Sequence, residues 1–164
     1  MDQCVYASDR FGGGRVIVCA GICHDGRTQP QIVQGTLNVV KYRNDILDPI
    51  VLPCLQQPNF DHVFQHDNAR CHMAGVWQDF LYQNHIRVLP WPSLSPDLLP
   101  IEHWDELGRR VRNLQNPPET LQELRDALVH EWNNIPQAFI QRLIGSMRRR
   151  CEAIVVARGG QTSY

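Results

Sequence analysis

The chain has 164 residues, of which 43% are hydrophobic and 20% are charged, and its formal net charge is −1. That length suits one domain with a buried core, and the composition excludes an intrinsically disordered chain. The sequence has neither the run of about 20 apolar residues that a membrane span needs nor a secretory signal in its first residues, so we expect a nuclear or cytoplasmic protein with reduced cysteines.

An antiparallel hairpin is predicted near the start of the chain. The apolar, β-branched run 15–23 predicts a strand, and Asp25-Gly26 is typical of a hairpin turn. Residues 28–33 then predict the returning strand. Met1 to Ser8 favours a strand only weakly, through Val5 and Tyr6.

Helices and short strands alternate after the hairpin, over residues 38–56 (helix), 62–66 (strand), 72–83 (helix) and 86–89 (strand). Pro49 and Pro53 should kink or split the first of these helices. Residues 90–100 contain four prolines and exclude regular structure. The order predicts an α/β chain with a mixed sheet, an antiparallel hairpin followed by parallel strands with crossover helices.

The last third of the chain predicts helices alone. An apolar stripe starts at residue 101 and reaches Leu114, and Thr120 with Glu123 forms a capping box that opens a helix through Trp132. A final amphipathic helix covers residues 140–154. These stripes are typical of packing faces.

Charge is distributed unevenly along the chain. Residues 1–102 have a net charge of −3, and residues 103–164 have a net charge of +2. Two groups of arginines stand out in the second part: Arg109, Arg110 and Arg112, and then Arg148, Arg149 and Arg150. Such groups either bind a phosphate backbone or solvate a helix face, and charge alone favours the second explanation.

Two carboxylates occupy positions where α/β folds gather functional groups. Asp67 follows the predicted strand 62–66, and Glu102 opens a helix after the proline-rich segment. Carboxylates that converge need a cation between them, and Mg²⁺ or Mn²⁺ prefers oxygen ligands. From the spacing alone, an ordinary structural role for both residues is the commoner explanation.

The segments around these carboxylates are far more specific. HDNARCHMAGVWQDFL and IRVLPWPSLSPDLLPIEHWDEL closely resemble the catalytic core of the Tc/mariner superfamily of DNA transposases. The earlier GGGRVIVCAGI resembles another segment of that family. The resemblance extends from about Phe11 to the C-terminus.

The resemblance implies an RNase H-like fold with a DDE triad of two aspartates and a glutamate. Asp67 matches the second aspartate and Glu102 matches the glutamate, which implies that they bind Mg²⁺ or Mn²⁺ for DNA cleavage and strand transfer. Asn68 and His72 match motif residues that support the site, although His72 is explained equally well as a helix cap. The resemblance also implies DNA as the partner and a possible homodimer as the assembly. We expect neither a membrane nor a small molecule as a further partner.

Two departures from the family pattern predict impaired catalysis. No early acidic residue matches the first aspartate, so we expect 1–116 to be an RNase H-like core that lacks its first strand, and 117–164 to be its C-terminal helical extension. One residue instead of two separates Glu102 from Trp104, which rotates the glutamate by about 100° to the side opposite the tryptophan. The alternative is an inactive remnant that binds DNA, through the two arginine groups, or protein.

Overall fold

A computed structural model describes residues 2–8, 15–56, 63–65, 75–90, 100 and 102–157. The strands in these ranges are β1 (Asp2–Ser8), β2 (Arg15–Cys23), β3 (Gly26–Arg27) and β4 (Gln31–Val33). The helices are α1 (Val39–Tyr42), α2 (Leu52–Leu55), α3 (Gly75–Gln83), α4 (Glu102–Arg112), α5 (Leu121–Asn134) and α6 (Gln137–Val156), with a π-helical stretch, Arg43–Val51, between α1 and α2. None of the helices described is long and apolar enough to cross a membrane.

Strand β2 is the centre of the sheet. β1 pairs antiparallel along one edge of β2, with Asp2 opposite Gly21 and Ser8 opposite Arg15. β4 pairs antiparallel along the other edge. The antiparallel arrangement after β2 is confirmed, whereas the expected loss of a strand beside β2 is not, because β1 pairs there over seven residues.

The returning strand is interrupted, although it was predicted to run through residues 28–33. β3 closes the hairpin at Gly26–Arg27, and β4 resumes at Gln31–Val33. Pro30 between them has no N–H to donate to a ladder. Thr28 instead forms two hydrogen bonds with Gly21. Thr28 Oγ1 accepts from the N–H of Gly21 at 2.8 Å, and the N–H of Thr28 donates to the carbonyl oxygen of Gly21 at 2.9 Å.

The helical stretch predicted over 38–56 is confirmed, and its break takes an unusual form. Asn38 caps it by accepting a hydrogen bond from the N–H of Lys41. Around Pro49 the chain is π-helical rather than split. Proline clashes with the carbonyl of residue i−4 in an α-helix, and the wider π turn relieves that clash.

The two short strands predicted at 62–66 and 86–89 are represented, in the described residues, by one parallel bridge between Phe64 and Val88. The N–H of Phe64 donates to the carbonyl of Arg87, and the N–H of Leu89 donates to the carbonyl of Phe64, each at 2.8 Å. α3 lies between them along the chain, and beyond this one bridge the predicted parallel strands with a crossover helix stay a prediction.

The alternating side chains of β2 divide the core into two clusters. One face packs against α4, α5 and α6, which we call the C-terminal layer; its buried residues include Val16, Val18, Ala20, Ile22, Trp104, Leu107, Leu128, Trp132 and Ile140. The other face packs against α1, α2, α3 and the π-helical stretch, which we call the N-terminal layer; its buried residues include Ile17, Cys19, Val33, Tyr42, Ile46, Leu47, Phe64 and Phe80. Because both faces are covered by helices, β2 is apolar from Val16 to Cys23.

One cysteine differs from the expectation of reduced thiols. Cys19 is buried, lies opposite Cys4 in the β1–β2 register, and is disulfide-bonded. Among the described residues Cys23, Cys54 and Cys151 are free.

Candidate functional site

The first predicted carboxylate lies just beyond a described segment. Three predicted site residues are outside the described part of the chain: Asp67, Asn68 and His72. The segment before them ends at Gln65, and its Phe64 is buried in the N-terminal layer. The described backbone therefore fixes the chain two residues before Asp67, and the role of the carboxylate stays a prediction.

Glu102 is the first residue of α4, and its backbone is described while its side chain is not. Trp104, Leu107 and Val111 are buried, so they set the rotation of the helix about its axis. At 100° per residue, position 102 lies about 160° from Trp104. Because the Glu102 side chain is not described, its orientation away from the buried stripe stays a prediction.

A pair of tryptophans anchors the first turn of α4. The rings of Trp104 and Trp132 stack with centroids 5.2 Å apart and an interplanar angle of 30°. Trp132 in turn joins α5 to the β2–β3 hairpin, because its Nε1 donates to the carbonyl of Thr28 at 3.0 Å and its own carbonyl accepts from Arg27 Nη1 at 2.7 Å. Burial lowers the pKa of Arg27 from its usual value. This chain of contacts connects the sheet to the helix that begins at Glu102.

Sequence reasoning missed most of this anchor. Gln137 adds to it by donating from Nε2 to the carbonyls of Cys23 and His24, at 3.1 and 2.9 Å. These contacts join residues more than 100 positions apart, and no local pattern marks a side chain that will bond to a distant backbone oxygen. The apolar stripe did identify Trp104 as a packing residue.

Two of the predicted DNA-binding arginines meet on one carboxylate. Glu106 accepts from Arg109 Nε and Nη2, at 3.0 and 2.6 Å, and from Arg110 Nε at 2.6 Å. The hydrogen bond from Arg109 is the largest cause of a lowered pKa of Glu106. Arg110 also reaches α5, with Nη1 at 3.8 Å from Glu131 Oε2 and 3.4 Å from the carbonyl of Asn134. Arg110 thus helps to fasten α4 to α5, whereas Arg109 bonds to Glu106 within α4.

The three consecutive arginines of α6 do not share one surface. Arg148 and Arg149 are exposed. Arg150 is only 5% exposed, and its Nε donates to Ser146 Oγ at 2.9 Å. The exposed basic surface of this helix therefore excludes Arg150, which had been grouped with its two neighbours. In α4, Arg112 is exposed.

Within the described ranges, no three His, Cys, Asp or Glu side chains come close enough to hold a metal ion. A site built on Asp67 and Glu102 involves side chains beyond those ranges.

Comparison with known proteins decides the family. A model of the DDE superfamily endonuclease family matches residues 2–125, which is more than half of the chain. The chain belongs to this family. It is 35% identical over 159 residues to the transposable element Tc1 transposase of Caenorhabditis elegans, covering 94% of this chain and 56% of Tc1 transposase. It is 29% identical over 161 residues to the Tc3 transposase of the same species, covering 98% and 49%. This member of the DDE superfamily thus spans about half the length of the curated relatives it matches.

Solved structures show the same fold. The catalytic domain of Mos1 mariner transposase superimposes with a TM-score of 0.80 at 20% identity, over 99% of this chain and 82% of that domain. The Mos1 mariner paired end complex with Mn superimposes with a TM-score of 0.79 at 22% identity, over 96% and 48%. The RNase H-like catalytic-domain fold expected for this DDE domain is thereby confirmed.

Proposed function

We propose that this chain is a transposase catalytic domain that acts on DNA, cleaving and joining strands at transposon ends. The family match over residues 2–125 carries the proposal, because it includes both Asp67 and Glu102. Mos1 transposase has been solved in a paired-end complex with a left transposon end. That supports DNA as the partner and a homodimer as the assembly; we also propose the nucleus as the site of action.

The proposed metal ligands are the carboxylates of Asp67 and Glu102. Their oxygens fit Mg²⁺ or Mn²⁺, and the Mos1 catalytic domain has been solved with each of these metals. When bound, such a cation supplies an activated water and stabilises charge on the phosphodiester oxygens. We assign Asn68 and His72 the support of the loop after Asp67.

The parallel bridge between Phe64 and Val88 supports the convergence of these carboxylates. Parallel strands end at the same edge of a sheet, where α/β folds bind their ligands. Asp67 lies three residues after Phe64, just beyond the first of the two predicted strands. The chain that leads to Glu102 follows the second. Both carboxylates are therefore expected at one edge of the sheet, each in the segment that follows a different strand.

We propose that catalysis by this chain, taken by itself, is impaired. Two of the three acidic residues of the family pattern have a match in it. The single residue between Glu102 and Trp104 also predicts that the glutamate lies opposite the tryptophan on α4. The two residues usual in the family would orient it differently. A misplacement of about 1 Å can slow an enzyme about 100-fold. The second candidate function, a DNA-binding remnant without catalysis, is favoured by the exposed Arg148 and Arg149.

Thermal unfolding with and without millimolar Mn²⁺, followed by nicking of supercoiled plasmid, tests the proposal. Asp67→Asn removes a proposed ligand, and Asp79→Asn removes an exposed carboxylate of α3 as the matched control. Mn²⁺ should raise the Tm of the wild type and of Asp79→Asn, but not of Asp67→Asn, because only a ligand that binds the native state shifts the transition.

Nicking then separates the two candidate functions. Slow, Mn²⁺-dependent nicking that Asp67→Asn abolishes supports an impaired nuclease. Equal nicking by all three proteins would overturn the assignment of Asp67. A Tm indifferent to Mn²⁺ together with no nicking supports the binding remnant instead.

A further inference from the structure

Adjacent parts of the C-terminal layer carry opposite net charge. Residues 102–134, which contain α4 and α5, include seven acidic residues and four arginines, a net charge of −3. Residues 137–157, which contain α6, include four arginines and one glutamate, a net charge of +3. The field of this layer therefore draws a polyanion towards α6 and away from α4 and α5.

Two of the three arginines of α4 already bind a carboxylate. Arg109 and Arg110 both bond to Glu106, whose side chain is 13% exposed, and Arg110 also lies near Glu131. A phosphate would have to displace the largely buried carboxylate of Glu106, which accepts short hydrogen bonds from both arginines. These two arginines are therefore better explained by their bonds to Glu106, and Arg110 also by its link to α5.

The arginines of α6 present a different geometry. Arg142 and Arg149 are seven residues apart, so they lie on the same side of the helix about 10 Å apart along its axis. Both are exposed, and so is Gly145 between them, where an added Cβ would meet nothing within 4 Å. The Arg142 guanidinium lies 5.9 Å from the ring centre of Phe139, one turn earlier. This side of α6 is accessible along two turns, and a bulky polyanion can approach its backbone closely.

Arg148 lies about 100° around the helix from Arg149 and widens the exposed face, and its ion pair does not block it. Its Nε lies 3.0 Å from Glu152 Oε1, with side chains that are 90% and 63% exposed. An ion pair so exposed is screened by salt and contributes little, so phosphate can replace the carboxylate.

We propose that the exposed face of α6, defined by Arg142, Arg148 and Arg149, binds the phosphate backbone of duplex DNA without reading its sequence. The proposal rests on the proposed DNA function and locates its contact surface. Guanidinium groups bind phosphate through paired, charge-assisted hydrogen bonds, and such contacts fix the position of a protein on DNA without specifying bases. The face excludes Arg150 and the two arginines that bond to Glu106.

Fluorescence anisotropy of a labelled duplex, in EDTA and from about 50 to about 200 mM KCl, tests this surface. Arg142→Ala/Arg149→Ala is compared with Arg109→Ala/Arg112→Ala, which removes the same charge from α4. The α6 double variant should bind roughly tenfold more weakly, and its plot of log affinity against log salt should be shallower by about 2. Arg142→Lys/Arg149→Lys should recover most of the affinity, since lysine also binds phosphate.

The outcomes separate this inference from the proposed function. If both double variants weaken binding equally, net charge rather than the α6 face is responsible, and the inference fails. It fails too if only the α4 variant weakens binding, or if the chain binds anionic lipid vesicles through these arginines and does not bind duplex. If the α6 variant alone loses DNA affinity, binding by the α6 face is supported even when no nicking is found. The reason is that binding is measured in EDTA, which removes any metal ion. If that variant nicks DNA in a metal-dependent way and its DNA affinity is unchanged, the proposed DNA binding by the α6 face is overturned and the nuclease assignment stays intact.

Discussion

The two helical layers on either side of β2 are fastened in different ways. The C-terminal layer adds long-range hydrogen bonds to its apolar packing, from the side chains of Arg27, Trp132 and Gln137 to backbone oxygens. The N-terminal layer is held by its apolar cluster, to which Arg43 adds a contact 5.4 Å above the ring of Phe80. Hydrogen bonds at several points fix the orientation of a layer, whereas apolar packing fixes it mainly through the complementary shapes of the side chains.

This difference bears on the proposed site, because each layer buries a residue that is close in sequence to one of the two carboxylates. Phe64, three residues before Asp67, is part of the apolar cluster of the N-terminal layer. Trp104, two residues after Glu102, belongs to the C-terminal layer. Variants that loosen one layer at a time therefore test how independently the two carboxylates are held.

Trp132→Ala should cause the largest loss. It removes a side chain that is 1% exposed, its stack on Trp104 and its hydrogen bond to Thr28. We expect the free energy of unfolding, measured by urea denaturation, to fall by about 3–5 kcal/mol. Trp132→Phe keeps most of the apolar contact and loses the N–H, so it should lose about 1–2 kcal/mol. A loss below about 1 kcal/mol in the alanine variant would contradict a central role for this anchor.

Leu47→Ala is the corresponding change in the N-terminal layer. The side chain is 1% exposed, and its removal leaves a cavity, so the free energy of unfolding should fall by about 2–4 kcal/mol. Hydrogen exchange is expected to accelerate first in the π-helical stretch Arg43–Val51, whereas Trp132→Ala should accelerate it first in α4. Equal acceleration of both regions in both variants would show that the layers open together, which defeats the comparison.

Arg27→Met tests one directional tie by itself. Methionine retains the aliphatic contacts of arginine but cannot donate to the carbonyl of Trp132, so that oxygen is left with the longer hydrogen bond from the N–H of Ile135, at 3.3 Å. We expect a loss of about 1–2 kcal/mol in urea denaturation. Arg27→Lys is the control for charge, since it can keep a single hydrogen bond. If both variants are as stable as the wild type, the tie contributes nothing.

Local patterns predicted most of this fold, and the reasons are physical. The capping box of Thr120 and Glu123 is present as predicted, with Thr120 Oγ1 accepting from Glu123 N–H at 3.2 Å, because all its atoms lie within one turn. The apolar stripe of α4 buries Trp104 as its spacing requires. Pro49 was correctly expected to disturb its helix, although the π-helical outcome depends on how the turn relaxes around the ring.

Tertiary features were less predictable from the sequence. Arg150 differs from Arg148 and Arg149 only by its place on the helix, yet it is buried. The separation arises because successive residues of α6 point in directions 100° apart, and which direction meets the core depends on packing. The seven-residue β1 was underestimated for a similar reason, since pairing with β2 outweighs the weak strand preference of its residues.

Glu106→Gln should have the smallest effect, and one that depends on pH. Hydrogen bonds, first from Arg109 and then from Arg110, hold the pKa of Glu106 below its usual value. A carboxyl group whose pKa is lowered in the folded state contributes stability above its unfolded pKa of about 4.3, and that stability is lost as pH falls through the lower folded value. At pH 7 the variant should therefore be less stable by at most about 1 kcal/mol, and the difference should shrink below pH 4. Asp105→Asn removes an exposed carboxylate from the same helix and serves as the control. Wild-type and Glu106→Gln stabilities that run parallel from pH 7 to pH 3 would mean that the ion pairs of α4 do not fasten the C-terminal layer, and that its directional ties reduce to those of Arg27, Trp132 and Gln137.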